Sequence, residues 1–232
     1  MTMRPAGGVV SEPTTMKWSP ATAVGLVIAL VATPLFIAAF HRLAGESSSN
    51  SQVLLKELGI WLLLGLLLWI VRRGERLPLT SLGLKTDRPM RSLLRGLVLA
   101  VLALCITVGL YLILQKAGIQ LGEDHGSFHP SLWVVTLVLL RAGVVEETFY
   151  RGYAIERLQG LTGSKSLASL LPLALFAAAH YKQGVGGIIA VFVLGGVFTL
   201  FYMKFRDLLA NITGHFLADF VLNVIMPLVG GE

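Results

Sequence analysis

Apolar residues come in long runs along this chain, separated by short polar stretches. The runs cover 21–40, 54–71, 93–114, 132–158, 167–180, 187–204 and 208–229. About 20 apolar residues are needed for a helix to span ~30 Å of hydrocarbon, and most of the runs meet that length. The pattern predicts an all-α protein, a polytopic transmembrane helical bundle of about seven spans. Pro34 predicts a kink in the first span, and 167–180 reads as a short helix. Between the runs lie a polar loop over 41–53, a charged segment over 72–95, and a loop over 115–131. A turn over 160–165 and a Gly-containing break over 181–186 follow. Trp69, near the end of the second run, fits an interfacial anchor, and Gly195 and Gly196 would allow close helix packing. No internal repeat is visible.

Composition agrees with that pattern. Of 232 residues, 55% are hydrophobic and 14% charged, which excludes an ordinary soluble domain. Residues 1–20 read as a short polar tail and 21–232 as one transmembrane domain. A cleaved signal peptide is not expected, because the first apolar run exceeds the roughly 7–15 residues of such a leader. The single cysteine, Cys105, excludes a disulfide within the chain and any multi-Cys metal site. The net charge of +6 raises the possibility of a nucleic-acid partner. Its distribution points instead to membrane topology. With the N-terminus cytoplasmic, fourteen of the nineteen Lys and Arg fall on the inner side or in helices near it. Arg42, Lys56, Lys116 and Lys182 fall on the other side, and Arg141 is left deep in the fourth helix without an evident partner. Glu123, Asp124, His125 and His129 are metal-ligand types in a loop, but their spacing matches no metal motif.

The fourth run carries Glu-Glu-Thr-Phe-Tyr-Arg at 146–151. Each ionised group near a membrane centre costs roughly 2.5–3.5 kcal/mol on insertion scales, so such residues face a protein interior or a wet cavity. Glu147 and Arg151 stand four apart in the favourable order for a structural ion pair. Glu146 is turned about 100° away on a helix of 3.6 residues per turn, out of that arginine's reach and free for chemistry. Two further pairs have helical spacing: Phe176 with His180, and His215 with Asp219. Counted at about 1.5 Å per residue from the inner helix ends, Glu146, His180 and Asp219 lie about 17–20 Å deep, with His215 shallower at about 11 Å.

Such groups suit hydrolysis of an amide without a covalent nucleophile. A carboxylate beside an imidazole can activate water, and a second imidazole can donate to the developing oxyanion while a carboxylate fixes its tautomer. Zinc is the alternative, since all four are ligand types, yet no His-Glu-x-x-His is present. No Gly-x-Ser-x-Gly elbow supports a serine mechanism.

The motifs Glu-Glu-x-x-x-Arg at 146–151, Phe-x-x-x-His at 176–180 and His-x-x-x-Asp at 215–219 resemble, in that order, those of the CPBP family. This group holds type II CAAX prenyl endopeptidases and bacteriocin-processing and bacteriocin-immunity (ABI) proteins. The resemblance covers about residues 80–225 and implies a glutamate-dependent intramembrane protease with a catalytic core over about 132–225. It further implies that Glu146 and His180 activate water and that His215 and Asp219 form the oxyanion site. Eukaryotic members end the last motif in Asn. An ionised Asp219 cannot donate, which favours its orienting His215. The expectation is therefore a membrane endopeptidase acting without cofactor or metal on a peptide or protein substrate in or beside the bilayer, from a cavity reached from the cytoplasmic side. A non-catalytic peptide-binding or bacteriocin-immunity protein is the alternative.

Overall fold

A computed structural model describes residues 18–85, 87–119 and 128–230. The tail over 1–17 and the loop residues Glu123, Asp124 and His125 lie outside them. Among the described residues there is no strand, and seven helical rods carry the fold. They are α1 (Pro20–Ala44), α2 (Asn50–Gly74), α3 (Pro89–Lys116), α4 (132–162), α5 (Lys165–Ala179), α6 (Gly184–Phe205) and α7 (Leu208–Val229). Five of them, α1, α2, α3, α6 and α7, are long and apolar enough to cross a bilayer. The all-helical, seven-rod arrangement is the one the hydrophobic pattern predicts.

Local chemistry sets the rod ends. Ser19, Ser49, Ser164 and Asp207 each accept a backbone N–H from the first turn of the helix that follows. Gly163 closes α4 at φ 69°, a left-handed conformation that glycine adopts freely. In α1 the backbone widens into a π turn at Ile28–Ala32, directly before Pro34, which lacks an N–H to donate. The outside of the bundle is lined with exposed Leu35, Leu62, Leu97, Val98 and Leu200, as a lipid-facing surface requires. Trp18, Trp69 and Trp133 lie exposed near rod ends, where aromatic belts form.

At the end of the bundle bearing 72–95, charges are stitched across helices. Glu75 accepts the Arg157 guanidinium at 2.9 Å and the Tyr153 hydroxyl at 2.8 Å. Asp207, fully buried, accepts Arg95 and Ser92 at 3.0 Å each. Glu156 pairs with Arg206 and accepts the Tyr202 hydroxyl. Part of the basic bias near this end is thus consumed in internal pairs rather than left free to set topology.

Glycines let α3 and α7 approach closely. A Cβ on Gly96 would lie 2.6 Å from Thr213 Cβ and 2.8 Å from the Ala210 carbonyl, and one on Gly214 would lie 3.0 Å from Leu99. Small residues that let backbones approach are the usual device where lipid removes the hydrophobic drive for helix pairing. At Gly195 the gain is different: a Cβ there would sit 3.2 Å from the Arg151 guanidinium, so the glycine makes room for a charge. Gly196 makes only ordinary contact. Gly96→Ala is expected to destabilise the fold by about 1–3 kcal/mol, the range for overpacking. Gly109→Ala, on the same helix with open space around it, is expected to lose nothing. Thermal unfolding in detergent compares them, and equal melting temperatures would contradict the close approach.

Candidate active site

The helix that holds Glu146 and Glu147 is not a plain α-helix. α4 begins as α over Leu132–Arg141, winds as a π-helix over Ala142–Ile155, and returns to α over Glu156–Thr162. π-helices close i→i+5 hydrogen bonds and cluster at functional sites. Twelve of its fourteen residues are buried. Gly143 meets the Ile212 carbonyl and Phe216 of α7, and Gly152 meets Leu208 and the Leu82 carbonyl.

The wide winding changes which residues face each other. Arg141 and Glu146, five apart, meet at 2.9 Å. The expectation from 3.6 residues per turn, that Arg141 has no partner and Glu146 no cation, is corrected on this point. Arg141 also meets a carboxylate from another helix: its Nε donates to Glu57 Oε2 at 2.5 Å and its Nη2 to Glu57 Oε1 at 3.4 Å. Glu57 lies in α2, 5% exposed. A lone carboxylate in an apolar span was the available signal for it.

Glu147 is completely buried. It accepts Arg151 Nη1 at 2.9 Å, Asn211 Nδ2 at 3.0 Å and His215 Nδ1 at 2.8 Å. Arg151 in turn donates to the Gly195 carbonyl at 2.9 Å and lies over the Phe176 ring. Glu147 therefore does more than pair with Arg151, for it also touches the histidine of the third motif. The other nitrogen of that ring, Nε2, lies 3.2 Å from Asp219 Oδ2. With carboxylates at both nitrogens, only the doubly protonated ring donates to both. A charged N–H···O⁻ bond usually measures about 2.7–2.9 Å, so the Asp219 contact is the looser one and its proton the easier to share.

His180 ends α5. Its Nδ1 lies 2.8 Å from the Phe176 carbonyl, which can only accept, so Nδ1 carries the proton and Nε2 of the neutral ring keeps its lone pair. The Phe176 ring packs edge-on against both Tyr150 and His180, with centroids 4.8 Å apart in each case.

Glu146, His180, His215 and Asp219 line one cavity of about 340 Å³, with Glu147, Arg151 and Phe176 in its wall. A second chamber of about 390 Å³ shares Glu146, Phe176, His180 and Gln183 with it and is closed by α1 through Thr33, Pro34 and His41. Thr33 Oγ1 and His41 Nδ1 are buried there without a hydrogen-bond partner. This chamber reaches Glu46 and Lys182, which pair at 3.2 Å. The Lys182 ammonium holds the Glu46 carboxyl below its usual range. Both residues lie at the end of the bundle away from 72–95, so this chamber extends toward the end opposite that basic segment. Among the described residues, no three His, Cys, Asp or Glu side chains converge as a metal site requires.

The model of the Rce1-like type II CAAX prenyl endopeptidases matches residues 128–221. Those residues are similar to an Rce1-like domain. No curated protein and no solved structure matches the chain. The Rce1-like segment runs from just before α4 into α7 and carries all three motifs, while α1, α2 and α3 lie outside it. The family is one of membrane proteases, and the long apolar helices agree in making this an integral membrane protein.

Within the Rce1-like segment the adjacent glutamates respond differently to loss of charge. Glu147→Gln leaves Arg151, 2% exposed, without a countercharge and with only neutral oxygens to accept from it. Breaking a buried pair this way costs about 3–5 kcal/mol. Glu146→Gln leaves Arg141 paired with Glu57 and is expected to keep yield and melting temperature near wild type. Adding Arg151→Met to Glu147→Gln is expected to recover most of the stability. A Glu147→Gln variant that unfolds at the wild-type temperature would refute the anchoring role.

Proposed function

We propose that the chain is an intramembrane endopeptidase that hydrolyses a peptide bond of a membrane-associated peptide or protein by activated water. The observation that carries this reading is the shared cavity. A carboxylate and an imidazole with a free Nε2 line it beside an imidazole held between two carboxylates.

Water sits between Glu146 and His180 and gives a proton to the carboxylate as its oxygen bonds to the scissile carbonyl carbon. The carbonyl oxygen takes the electron pair and becomes an oxyanion. His215, already carrying both protons, faces that charge and shares its Nε2 proton with it, away from Asp219. When the tetrahedral adduct collapses, the carbon–nitrogen bond breaks and the proton held by Glu146 passes to the leaving amine, directly or relayed by His180 Nε2. No covalent intermediate and no metal enters the sequence. Asp219, as an acceptor, orients His215.

Orientation follows from the charge bias: the end bearing 72–95 faces the cytoplasm, together with the N-terminus. The substrate then reaches the second chamber from the other face.

Glu146→Gln is expected to abolish cleavage of membrane protein termini, compared across the proteome between cells carrying wild type and variant. Indistinguishable termini would favour a non-catalytic peptide-binding or immunity role. A chelator-stripped preparation is expected to keep full activity and to contain no stoichiometric zinc. One tightly held metal per chain, with activity restored only by adding it back, would overturn direct activation of water. Asp219→Asn is expected to lower activity moderately and Asp219→Ala more. A lost oxyanion donor costs about 10²–10³ in rate, so wild-type activity in Asp219→Asn would reassign position 219 as a donor.

A further inference from the structure

Two glutamates in this site are paired with arginines in different ways. Glu147 has Arg151 to itself, for no other carboxylate lies within 4 Å of that guanidinium among the described residues. Glu146 shares Arg141 with Glu57. A guanidinium presents its donors in a rigid fork, and here the fork is divided. The Nε and Nη2 edge faces Glu57, and Nη1 faces Oε1 of Glu146. Three helical segments build this: α2 supplies Glu57, the last α turn before the wide stretch supplies Arg141, and the π winding carries Glu146 back over it. Glu57 and Arg141 side chains are 6% and 9% exposed, whereas Glu146 keeps 18%, toward the cavity.

We infer that Glu57 and Arg141 are positioning residues for Glu146: the shared guanidinium fixes Oε1 in the wall, leaves Oε2 to the cavity, and keeps Glu146 basic because Glu57 takes half its charge. This rests on Glu146 being the base, and it adds a residue from outside the Rce1-like segment to the machinery. The electrostatics separate sharing from simple pairing. Among these three residues two carboxylates and one guanidinium leave one net negative charge, with Lys56 the further cation near Glu57. A one-to-one pair leaves none, and a carboxylate neutralised in that way is a poor proton acceptor. Lysine could not replace Arg141, since a single ammonium on a flexible stem does not span two carboxylates in fixed geometry.

The test reads Glu146 itself. A hydrophobic carbodiimide reacts with protonated carboxyl groups in membranes, and mass spectrometry of the digested full chain locates the label. In Glu57→Gln, Arg141 becomes Glu146's own cation, so labelling at Glu146 is expected to fall. In the double variant Glu57→Gln with Arg141→Met, Glu146 loses its cation, and labelling is expected to rise by roughly tenfold or more. Both variants avoid an unpaired buried arginine. Turnover is expected to fall in both through kcat, with KM unchanged. A merely structural role loosens the wall in both cases and moves labelling in the same direction. That outcome, or wild-type labelling in both, would overturn the inference. Glu146→Gln in the same assays separates the two readings. If it still cleaves substrate, Glu146 is not the base, while opposite labelling shifts at Glu146 would still establish the shared guanidinium.

Discussion

A carboxylate with no exposure at all, Glu147, holds α4, α6 and α7 in one arrangement. Taking an ion out of water costs several kcal/mol even after relaxation, and the cost is offset only when the geometry is good and every lone pair is used. Glu147 comes close to that condition with three donors from two helices, Arg151 on its own rod and Asn211 and His215 on α7. Arg151 and Asn211 extend the network to α6 through the carbonyls of Gly195 and Phe198. α4, α6 and α7 are therefore fixed to one another by charge and hydrogen bonds at mid-height. Van der Waals packing of small residues, as between Gly96 and Gly214, closes the remaining distance.

The neighbouring glutamate has the opposite surroundings. Glu146 points to a cavity and has half of one guanidinium. Adjacent residues of one type reach such different states because the helix is wide at that point. A 3.6-residue turn would leave Arg141 off Glu146's face. The i→i+5 winding stacks residues five apart while still letting Glu147 reach Arg151 four residues on. A π stretch has poorer backbone geometry than an α-helix, and here it is held by burial of nearly all its side chains and by ion pairs on two sides.

Much of this was legible in the sequence, and the limits have physical causes. Run length and the cost of burying a peptide group in lipid leave only helices for such a chain, so the seven rods followed directly. Helical spacing placed Glu147 near Arg151 and His215 near Asp219, because those pairs depend on local geometry alone. The partner of Arg141 was hidden for two reasons. The π winding has no marker in the residue types, and Glu57 sits 84 residues away in a span that reads as apolar. Asn211 was visible as a polar interruption, but its target required knowing which helix α7 faces.

The Rce1-like segment begins at residue 128, yet the surroundings of Glu146 reach outside it. Glu57 on α2 holds Arg141, and Thr33 and His41 on α1 wall the chamber on the far side of His180. The first two rods contribute nothing to the motifs and a good deal to the electrostatics and shape around them. A segment cut at the start of the matched region would leave Arg141 facing Glu146 alone and the second chamber without its α1 wall. The side chains that wall the two cavities thus extend beyond the stretch of about 132–225 read from the motifs. Charges inside a membrane make this a general expectation, because each must find a partner within the bundle, and that partner is free to come from any helix at the same depth.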